Sequence, residues 1–257
     1  MEPQRLQSRQ GWEWIKQGFA LFMKAPLLWI VFLFIFLVAA IILSSVPVVG
    51  EPLASLLMPV VIAGLMTGCR SLEHGEDLEL MHFLAGFRKH TSHLVTLGGI
   101  TLVSQLLILG AMMMAGGAAL VGIMMSGQGD PDPETVKAAV AGAGFAILLG
   151  VTLFSILMMA MQYAPMLVYF NDATPIQAMK LSLRAFIYNI GPMLVYYLTF
   201  TFLAILASLP MLLGWLILMP LVFTSLYVSY SAIFPPQKQV VTPEKPRDQF
   251  TPEEGTF

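Results

Sequence analysis

The chain has 257 residues, of which 57% are hydrophobic and 11% are charged, and its formal net charge at pH 7 is −2. Soluble domains have about 25% charged residues, so this composition excludes an ordinary soluble domain and indicates a membrane protein. The net charge provides no basic surface for nucleic acid, and the single cysteine, Cys69, cannot form an intramolecular disulfide.

Five charge-free apolar runs predict the membrane spans. Each run is close to or longer than the roughly 20 residues that cross a hydrocarbon core. The last run is long enough to cross twice, with a turn near Pro210 and Gly214, which gives six spans. The runs are residues 25–50, 52–69, 94–129, 138–171 and 185–237. We therefore predict an all-α polytopic membrane protein with six transmembrane helices in three hairpins.

A short amphipathic helix is predicted before the first hairpin, around residues 11–24. Its apolar residues recur at spacings of three and four, which places them on one helical face. They are Trp12, Ile15, Phe19 and Phe22. Lys16 and Lys24 lie on the opposite face. Such a helix is typical of a membrane interface, where its cations contact anionic lipid headgroups.

The segment before the second hairpin has the same character. Leu80, Leu84 and Phe87 share one predicted helical face, and Lys89 lies on the other. Arg88 adds a second cation beside it. We expect Arg88 and Lys89 to contact lipid headgroups as well.

The third and fourth spans carry small residues at every fourth position, a pattern typical of close helix contacts in membranes. The predicted stripes are Ala111, Ala115 and Ala119 in the third span and Ala138, Gly142, Ala146 and Gly150 in the fourth. Because one loop joins the two spans, we expect the stripes to meet. Both runs exceed the length that a core of about 30 Å requires. They either kink, with Gly116 and Gly117 as break points, or protrude from the membrane.

The segment before the third hairpin contains a predicted helix start. Thr174 suits the N-cap, Pro175 the first helical position, and Gln177 the partner position of a capping box. Lys180 and Arg184 lie opposite an apolar face, and we expect them to contact headgroups. The apolar face consists of Ile176, Met179, Leu183, Phe186 and Ile190.

This order predicts three units, each an amphipathic helix followed by a hairpin. Their bounds are about residues 11–69, 77–170 and 175–234, within a single transmembrane domain 1–234. The alternative is that ordinary flanking helices precede the spans without a true duplication. The tail 235–257 is rich in proline and mixed charge and is predicted to be disordered.

The basic residues predict the orientation of the chain, because Lys and Arg near span ends are retained in the cytoplasm. Twelve of the 13 basic residues fall on the side of the termini, and only Lys137 falls on the other side. The tyrosines cluster toward the same side, as expected for a belt at headgroup depth. Both termini and the three amphipathic helices are therefore predicted to be cytoplasmic.

The positions Ala178, Ser182, Asn189 and Pro192 within AMKLSLRAFIYNIGPMLVYY form a pattern that resembles a poorly characterised group of six-span proteobacterial inner-membrane proteins. More remotely, the pattern is similar to the membrane domain fused to some bacterial glycerophosphodiester phosphodiesterases. The resemblance covers most of residues 12–234 and implies a location in a bacterial inner membrane. It brings no activity with it, since the first group has none established and no phosphodiesterase domain is recognisable in these residues.

The sequence contains no pattern typical of catalysis. No Asp, Glu, Lys, Arg or His lies at the centre of a predicted span, which argues against a proton relay or a voltage sensor. Nucleophile elbows, Walker loops and HExxH motifs are absent. We therefore expect a non-enzymatic protein without a cofactor. The preferred function is an accessory subunit, assembly factor or scaffold that contacts membrane lipids and another membrane protein complex.

Uncharged polar residues support an alternative function. Gln105 and Gln162 lie within predicted spans, where an unpaired amide is costly and should face protein or a wet cavity. With Tyr163 they would line a polar path in a transporter or channel for a small or lipid-like substrate. The alternative interpretation is that these residues form hydrogen bonds between helices.

All four histidines fall in the predicted cytoplasmic segment that follows Cys69. His90 and His93 are three residues apart, a spacing at which two imidazoles on a helix can share a metal ion. Hydrated histidines at the membrane interface are the simpler interpretation, and we predict no metal site.

Overall fold

A computed structural model describes residues 2–117, 121–122 and 133–235 of the chain. Within these residues the regular secondary structure is helical, with nine α-helices and no strand. In chain order the elements are α1 (Gln10–Phe22), α2 (Pro26–Ser44), α3 (Gly50–Glu73), a 3₁₀ segment (Leu80–Phe87), α4 (Thr91–Met112), a π turn (Met113–Gly117), α5 (Pro133–Met161), α6 (Ala164–Asn171), α7 (Pro175–Tyr188), α8 (Ile190–Ser208) and α9 (Trp215–Ile233). The tail predicted to be disordered lies, beyond Pro235, outside the described residues.

Six stretches of the described residues are long and apolar enough to cross a membrane. They are α2, α3, α4 with its π turn, α5 together with α6, α8 and α9. Their order gives three hairpins and confirms the predicted all-α polytopic membrane fold. We call the end of the bundle that carries Lys24, Asp172 and Asn189 the proximal end, and the end that carries Ser44 and Ser208 the distal end.

The short elements before the hairpins pack in a cyclic order. α1 lies against α8 and α9 of the third hairpin, the 3₁₀ segment lies against α3 of the first, and α7 lies against α5 and α6 of the second. Each short element thus packs against the hairpin of the preceding unit. For α1, which has no preceding unit, the third hairpin takes that place. This packing closes the three units into a ring around an axis bounded by α3, α6 and α9. Duplication of one ancestral unit stays a prediction.

The third span breaks at the glycine pair that the sequence indicated. Gly116 lies in the π turn with φ of 133°, a conformation that residues with a Cβ atom rarely adopt. This confirms Gly116 as a break point. A Cβ atom at Gly116 would lie 2.6 Å from the Cα atom of Gly142 in α5. Glycine therefore allows the two spans to approach closely there.

The small residues of α5 contact the third span over part of the predicted stripe. Gly142 lies against Gly116, Gly150 lies against Met112, and Ala146 is buried. At the distal end of α5 the contact face differs from the prediction. On the third span, Ala111 and Ala115 are half-buried, whereas Ala119 lies outside the described residues.

The difference at the start of α5 follows from helix geometry. Ala138 is exposed, and Ala139 and Ala143 are buried in its place. Because an α-helix has 3.6 residues per turn, residues spaced by four are each rotated by about 40° from the one before. Residues that all face one neighbouring helix are therefore spaced alternately by three and by four. Ala139, Ala143 and Ala146 follow that alternation.

The helices α1 and α7 are packed on the bundle through faces that coincide only in part with the predicted apolar ones. In α1 the predicted residues Ile15 and Phe22 are buried together with Trp14, whereas Trp12 and Phe19 are 46% exposed. In α7 the buried residues are Ala178, Ser182, Ala185 and Phe186. The outward apolar residues remain available to lipid, and the position of both helices at a membrane surface stays a prediction.

Candidate functional site: an axial chamber and an axial pocket

The fourth span is broken between α5 and α6, just before Pro165. Proline has no N–H and its ring disturbs the preceding turn. The bond expected in a regular helix from Tyr163 N–H to Met159 O is replaced by the hydroxyl of Ser182 on α7. That hydroxyl accepts from Tyr163 N–H at 3.0 Å and donates to Met159 O at 2.7 Å. Ser182, which is fully buried, therefore satisfies the backbone at the break.

Asn189 fastens the N-terminal segment to the junction of α7 and α8. Its Oδ1 atom accepts from Leu6 N–H at 2.8 Å, and its Nδ2 atom donates to Gln4 O at 2.9 Å and to Ala185 O at 3.0 Å. Its side chain is fully buried, as a satisfied amide can be. All four positions of the pattern that carries the resemblance are buried: Ala178, Ser182, Asn189 and Pro192. The pattern thus marks structural contacts.

A cavity of about 480 Å³, which we call the chamber, lies between α3, α4, α5, α6, α8 and α9. It reaches the middle of the spans, because Thr101 of α4 and Pro59 of α3 are among its lining residues. Most lining side chains are apolar. The structure brings Gln105 and Gln162 to this one cavity, although 57 positions separate them in the chain (162 − 105).

The amide of Gln162 is held in place at the wall of the chamber. Its Oε1 atom accepts a hydrogen bond from the Tyr197 hydroxyl at 2.9 Å, and its Nε2 atom lies 3.7 Å from Met193 Sδ. A thioether is a weak acceptor, so the amide keeps hydrogen-bonding capacity toward the chamber. Tyr197 was not among the residues predicted to line a polar path, because a tyrosine near the end of an apolar run is typical of an aromatic belt.

Tyr163 does not line the chamber, in contrast to the predicted path. Its ring lies at 6.4 Å from the ring of Tyr230 and 6.0 Å from that of Phe234, and its hydroxyl is 3.0 Å from Ser229 Oγ. Tyr230 and Phe234 line a second cavity toward the proximal end. Tyr163 therefore belongs to an aromatic layer that lies between the two cavities.

The second cavity, which we call the axial pocket, has a volume of about 320 Å³. Its polar lining comes from the proximal ends of α3, α6 and α9, one helix from each hairpin. The lining residues include Arg70, Glu73, His74, Asn171, Tyr227, Tyr230 and Ser231. The sequence did not predict this cluster, because its members are distant in the chain.

Several basic residues predicted to contact headgroups also bond to protein groups. Lys24 donates from Nζ to Leu72 O at 2.6 Å, at the end of α3, where backbone carbonyls lack helical partners. Lys16 pairs with Glu13 at 2.9 Å. The Lys24 contact joins the start of the first span to the end of α3, whereas the Lys16 pair lies within α1. Headgroup contact for Lys16 and Lys24 stays a prediction.

The remaining predicted headgroup ligands differ in their surroundings. Arg184 donates from Nε to the Tyr188 hydroxyl at 3.0 Å, whereas Lys180 is exposed. Arg88 lies with Nη2 at 3.2 Å from Met81 Sδ. These three cations lie at the outer surface of the proximal end, where headgroups would be within reach.

A polar contact joins the two ends of the second hairpin. Lys89 and His90 lie just before α4, and Asp172 lies just after α6. Asp172 Oδ1 lies 3.1 Å from Lys89 Nζ and 2.6 Å from His90 Nε2. The hydrogen bonds from Lys89 and His90 lower the pKa of the Asp172 carboxyl below its ordinary value of 3.8. The rings of His90 and His93 are stacked with centroids 6.0 Å apart. Among the described residues, no group of three or more His, Cys, Asp or Glu side chains could hold a metal ion.

The Asp172 link predicts a pH-dependent contribution to stability. Because the pKa of Asp172 is lowered by folding, its contribution is present at neutral pH and is lost as pH falls through the lowered pKa, below about 4. We expect Asp172→Asn to melt below the wild type at pH 7 and the difference to become smaller in acid. Melting temperatures in detergent from pH 7 to pH 3 measure this. A difference that is constant with pH would contradict it, and Glu134→Gln, at an exposed carboxylate of α5, serves as the control.

The fold and these cavities define the class of the molecule. It is an all-α, multi-pass integral membrane protein with six spans, a broken fourth span, a mainly apolar chamber and a polar pocket at the proximal end.

A bacterial protein is similar to this chain in amino-acid sequence. The chain is 29% identical to a "probable inner membrane protein" of Burkholderia thailandensis over 249 aligned positions, which include 88% of this chain and 92% of the relative. The likeness therefore extends over most of the chain and agrees with a multi-pass inner-membrane protein. No protein-family model matches the chain, and no solved structure matches it significantly. The remote similarity to the phosphodiesterase membrane domain stays a prediction.

Proposed function

We propose that this protein is a non-enzymatic transporter for a lipid-like substrate, which binds in the chamber. The chamber itself is the observation that supports the proposal: a cavity of about 480 Å³ between the spans, reaching mid-membrane. Binding cavities for small molecules are mostly apolar with a few placed polar groups. Gln105 and Gln162 are such groups, and the apolar walls suit an acyl chain.

The aromatic layer adds support for transport over simple binding. Tyr163, Tyr230 and Phe234 lie between the chamber and the axial pocket. A substrate that passed from one cavity to the other would have to displace these rings. These rings would thus act as a gate on the proximal side of the chamber, in keeping with alternating access by gating around a fixed site.

A test of the proposal is to fill the chamber and measure lipid movement. Ala54 lines the chamber, so Ala54→Trp places an indole in the space that the substrate would occupy. We expect wild-type protein in vesicles to speed the transbilayer movement of a fluorescent phospholipid, and Ala54→Trp to return the rate to that of protein-free vesicles. Bleaching of the outer leaflet with dithionite reports the movement.

The matched control is Ala40→Trp, because Ala40 is exposed on α2 and lies away from the chamber. Equal rates for wild type, Ala54→Trp and protein-free vesicles would contradict transport of this lipid. Native mass spectrometry then separates the candidates: a lipid retained by the wild type and lost in Ala54→Trp indicates lipid binding without transport.

The second candidate function is the accessory subunit, assembly factor or scaffold. It is favoured by an apolar groove of about 700 Å³ between α1, α8 and α9. Trp12, Phe19, Leu206 and Ile217 line this groove, which has the form of a seat for a helix of another membrane protein. Co-purification of one defined membrane protein, abolished by Leu206→Trp, would support this function.

We further infer a bacterial inner-membrane location with the proximal end in the cytoplasm. The sequence resemblance and the "probable inner membrane protein" relative support the membrane. The excess of Lys and Arg near the proximal ends of the spans supports the orientation.

A further inference from the structure

The axial pocket lies where the three hairpins converge, at the proximal ends of the spans. α3 contributes Arg70 and Glu73, α6 contributes Asn171, and α9 contributes Tyr227 and Tyr230. The ends of spans lie at headgroup depth in a bilayer. A ligand in the pocket would therefore be reached from the level at which phosphate groups of lipids lie.

Two opposite charges in this pocket are held apart. Arg70 and Glu73 are three residues apart on α3, a spacing at which opposite charges are neighbours and commonly pair. Among the described residues, no ion pair joins them. Glu73 Oε2 instead accepts the Tyr227 hydroxyl at 2.5 Å, and the Arg70 guanidinium lies 5.1 Å from the centre of the Phe170 ring.

Partners from different hairpins thus direct each charge away from the other. Tyr227 belongs to the third hairpin and Phe170 to the second, so the separation depends on the assembled ring. Neither partner neutralises the charge that it contacts: a phenol is neutral, and an aromatic face attracts a guanidinium without cancelling its charge. The pocket therefore presents a positive and a negative group across one small cavity.

We propose that the axial pocket binds a zwitterionic phosphoethanolamine group. Its phosphate is held by Arg70, whose planar fork of donors matches phosphate oxygens, and by the amide of Asn171. The Oδ1 atom of Asn171 is occupied by the Tyr230 hydroxyl at 2.5 Å, which directs the two Nδ2 donors toward other acceptors. The ammonium group is held by Glu73.

Arg70 and Glu73 start from positions about one turn apart on α3, and the ligand that would join them is short. Side chains three residues apart have Cβ atoms about 5–6 Å apart, and two carbons and an oxygen separate the phosphorus from the nitrogen of phosphoethanolamine. The pocket volume of about 320 Å³ leaves space for a glycerol ester on the phosphate. The same chemistry could come from a lipid headgroup or from a free compound. This site does not depend on the function proposed for the chamber.

The test is calorimetric titration of the full chain in phosphatidylglycerol nanodiscs with three soluble probes. The probes are O-phosphoethanolamine, glycerol phosphate, which lacks the ammonium, and ethanolamine, which lacks the phosphate. We expect the wild type to bind O-phosphoethanolamine about tenfold tighter than either partial probe, because each charged contact contributes to affinity. Equal affinity for O-phosphoethanolamine and glycerol phosphate would overturn the proposal.

Two variants separate the roles of the charges. Arg70→Gln should lose affinity for both phosphate probes by about tenfold. Glu73→Gln, which keeps an acceptor for Tyr227, should bind glycerol phosphate like the wild type but lose its preference for O-phosphoethanolamine. Retained preference in Glu73→Gln would refute the assignment. An unfolded protein would not keep glycerol phosphate binding, so this pattern also excludes misfolding.

Matched controls and a second membrane composition complete the test. Arg9→Gln and Glu76→Gln remove exposed charges near the same end and should leave all affinities unchanged. In phosphatidylethanolamine nanodiscs, a loss of apparent affinity for O-phosphoethanolamine identifies the lipid headgroup as the competing ligand. Unchanged affinity there identifies the free compound as the ligand.

Discussion

Replacing Ser182 with alanine is expected to lower the free energy of unfolding by about 2 kcal/mol. The Ser182 hydroxyl bridges Met159 O and Tyr163 N–H at the break of the fourth span, with distances of 2.7 Å and 3.0 Å. Without it, a carbonyl and an N–H are left without partners in a buried, water-poor site. Equilibrium unfolding in mixed micelles, followed by tryptophan fluorescence, measures the loss.

The matched control for Ser182→Ala is Ser155→Ala on the same span. The Ser155 hydroxyl donates to Val151 O within its own helix at 2.7 Å, where the backbone bond is already made. Its loss should change stability by less than about 0.5 kcal/mol. If both variants unfold alike, the fourth span would be able to restore its own hydrogen bond, and the bridge would contribute nothing.

Local rules predicted the start of α7 correctly. Thr174, Pro175 and Gln177 form the expected capping box, in which Thr174 N–H donates to Gln177 Oε1 at 3.4 Å, and this prediction is confirmed. Such caps depend only on residues within one turn. The six spans were predictable for a similar reason, since hydropathy over about 20 residues decides insertion.

The buried face of α7 was predictable only in part from its periodicity. Phe186 of the predicted apolar face is buried, but Ile176 of that face is 61% exposed, whereas Ser182 is fully buried. A helix at the edge of a membrane bundle has two apolar surroundings, lipid and protein. The large apolar residues dominate the hydrophobic periodicity, and several of them lie on the face toward lipid. The face toward protein consists mostly of small residues such as Ala178, which contribute little to that periodicity.

The candidate sites were predicted only in part. Gln105 and Gln162 were recognisable, because an amide within an apolar run stands out from its neighbours. The axial pocket was not recognisable, since Arg70, Asn171 and Tyr230 lie at the ends of spans where polar residues are ordinary. Their convergence depends on the cyclic packing of the three hairpins, which no local pattern encodes.

The ring is closed by packing between the first unit and the third, in which α1 lies against α8 and α9, and α2 and α3 also lie against α9. A Cβ atom at Gly18 would lie 2.6 Å from the Cα atom of Ser225 in α9. The neighbour is backbone, so it cannot move aside as a flexible side chain would. Trp14, fully buried with its ring 6.0 Å from that of Tyr196, extends the same contact toward α8.

Gly18→Ala is therefore expected to separate α1 from the third hairpin and to lower the free energy of unfolding by about 1–3 kcal/mol. Alanine forms helices better than glycine by about 1 kcal/mol, so any loss arises from the contact and not from the helix itself. Trypsin should cleave at Lys16 faster than in the wild type, because a detached α1 exposes its backbone.

Gly144→Ala separates these two effects, because a Cβ atom at Gly144 in α5 meets nothing within 4 Å. That variant gains helix propensity without a clash and should be as stable as the wild type or more stable. If Gly18→Ala behaved like Gly144→Ala in both assays, α1 would not be docked against α9. The first and third units would then be joined only by α2 and α3 against α9, and the axial pocket would lack the support of α1 behind α9.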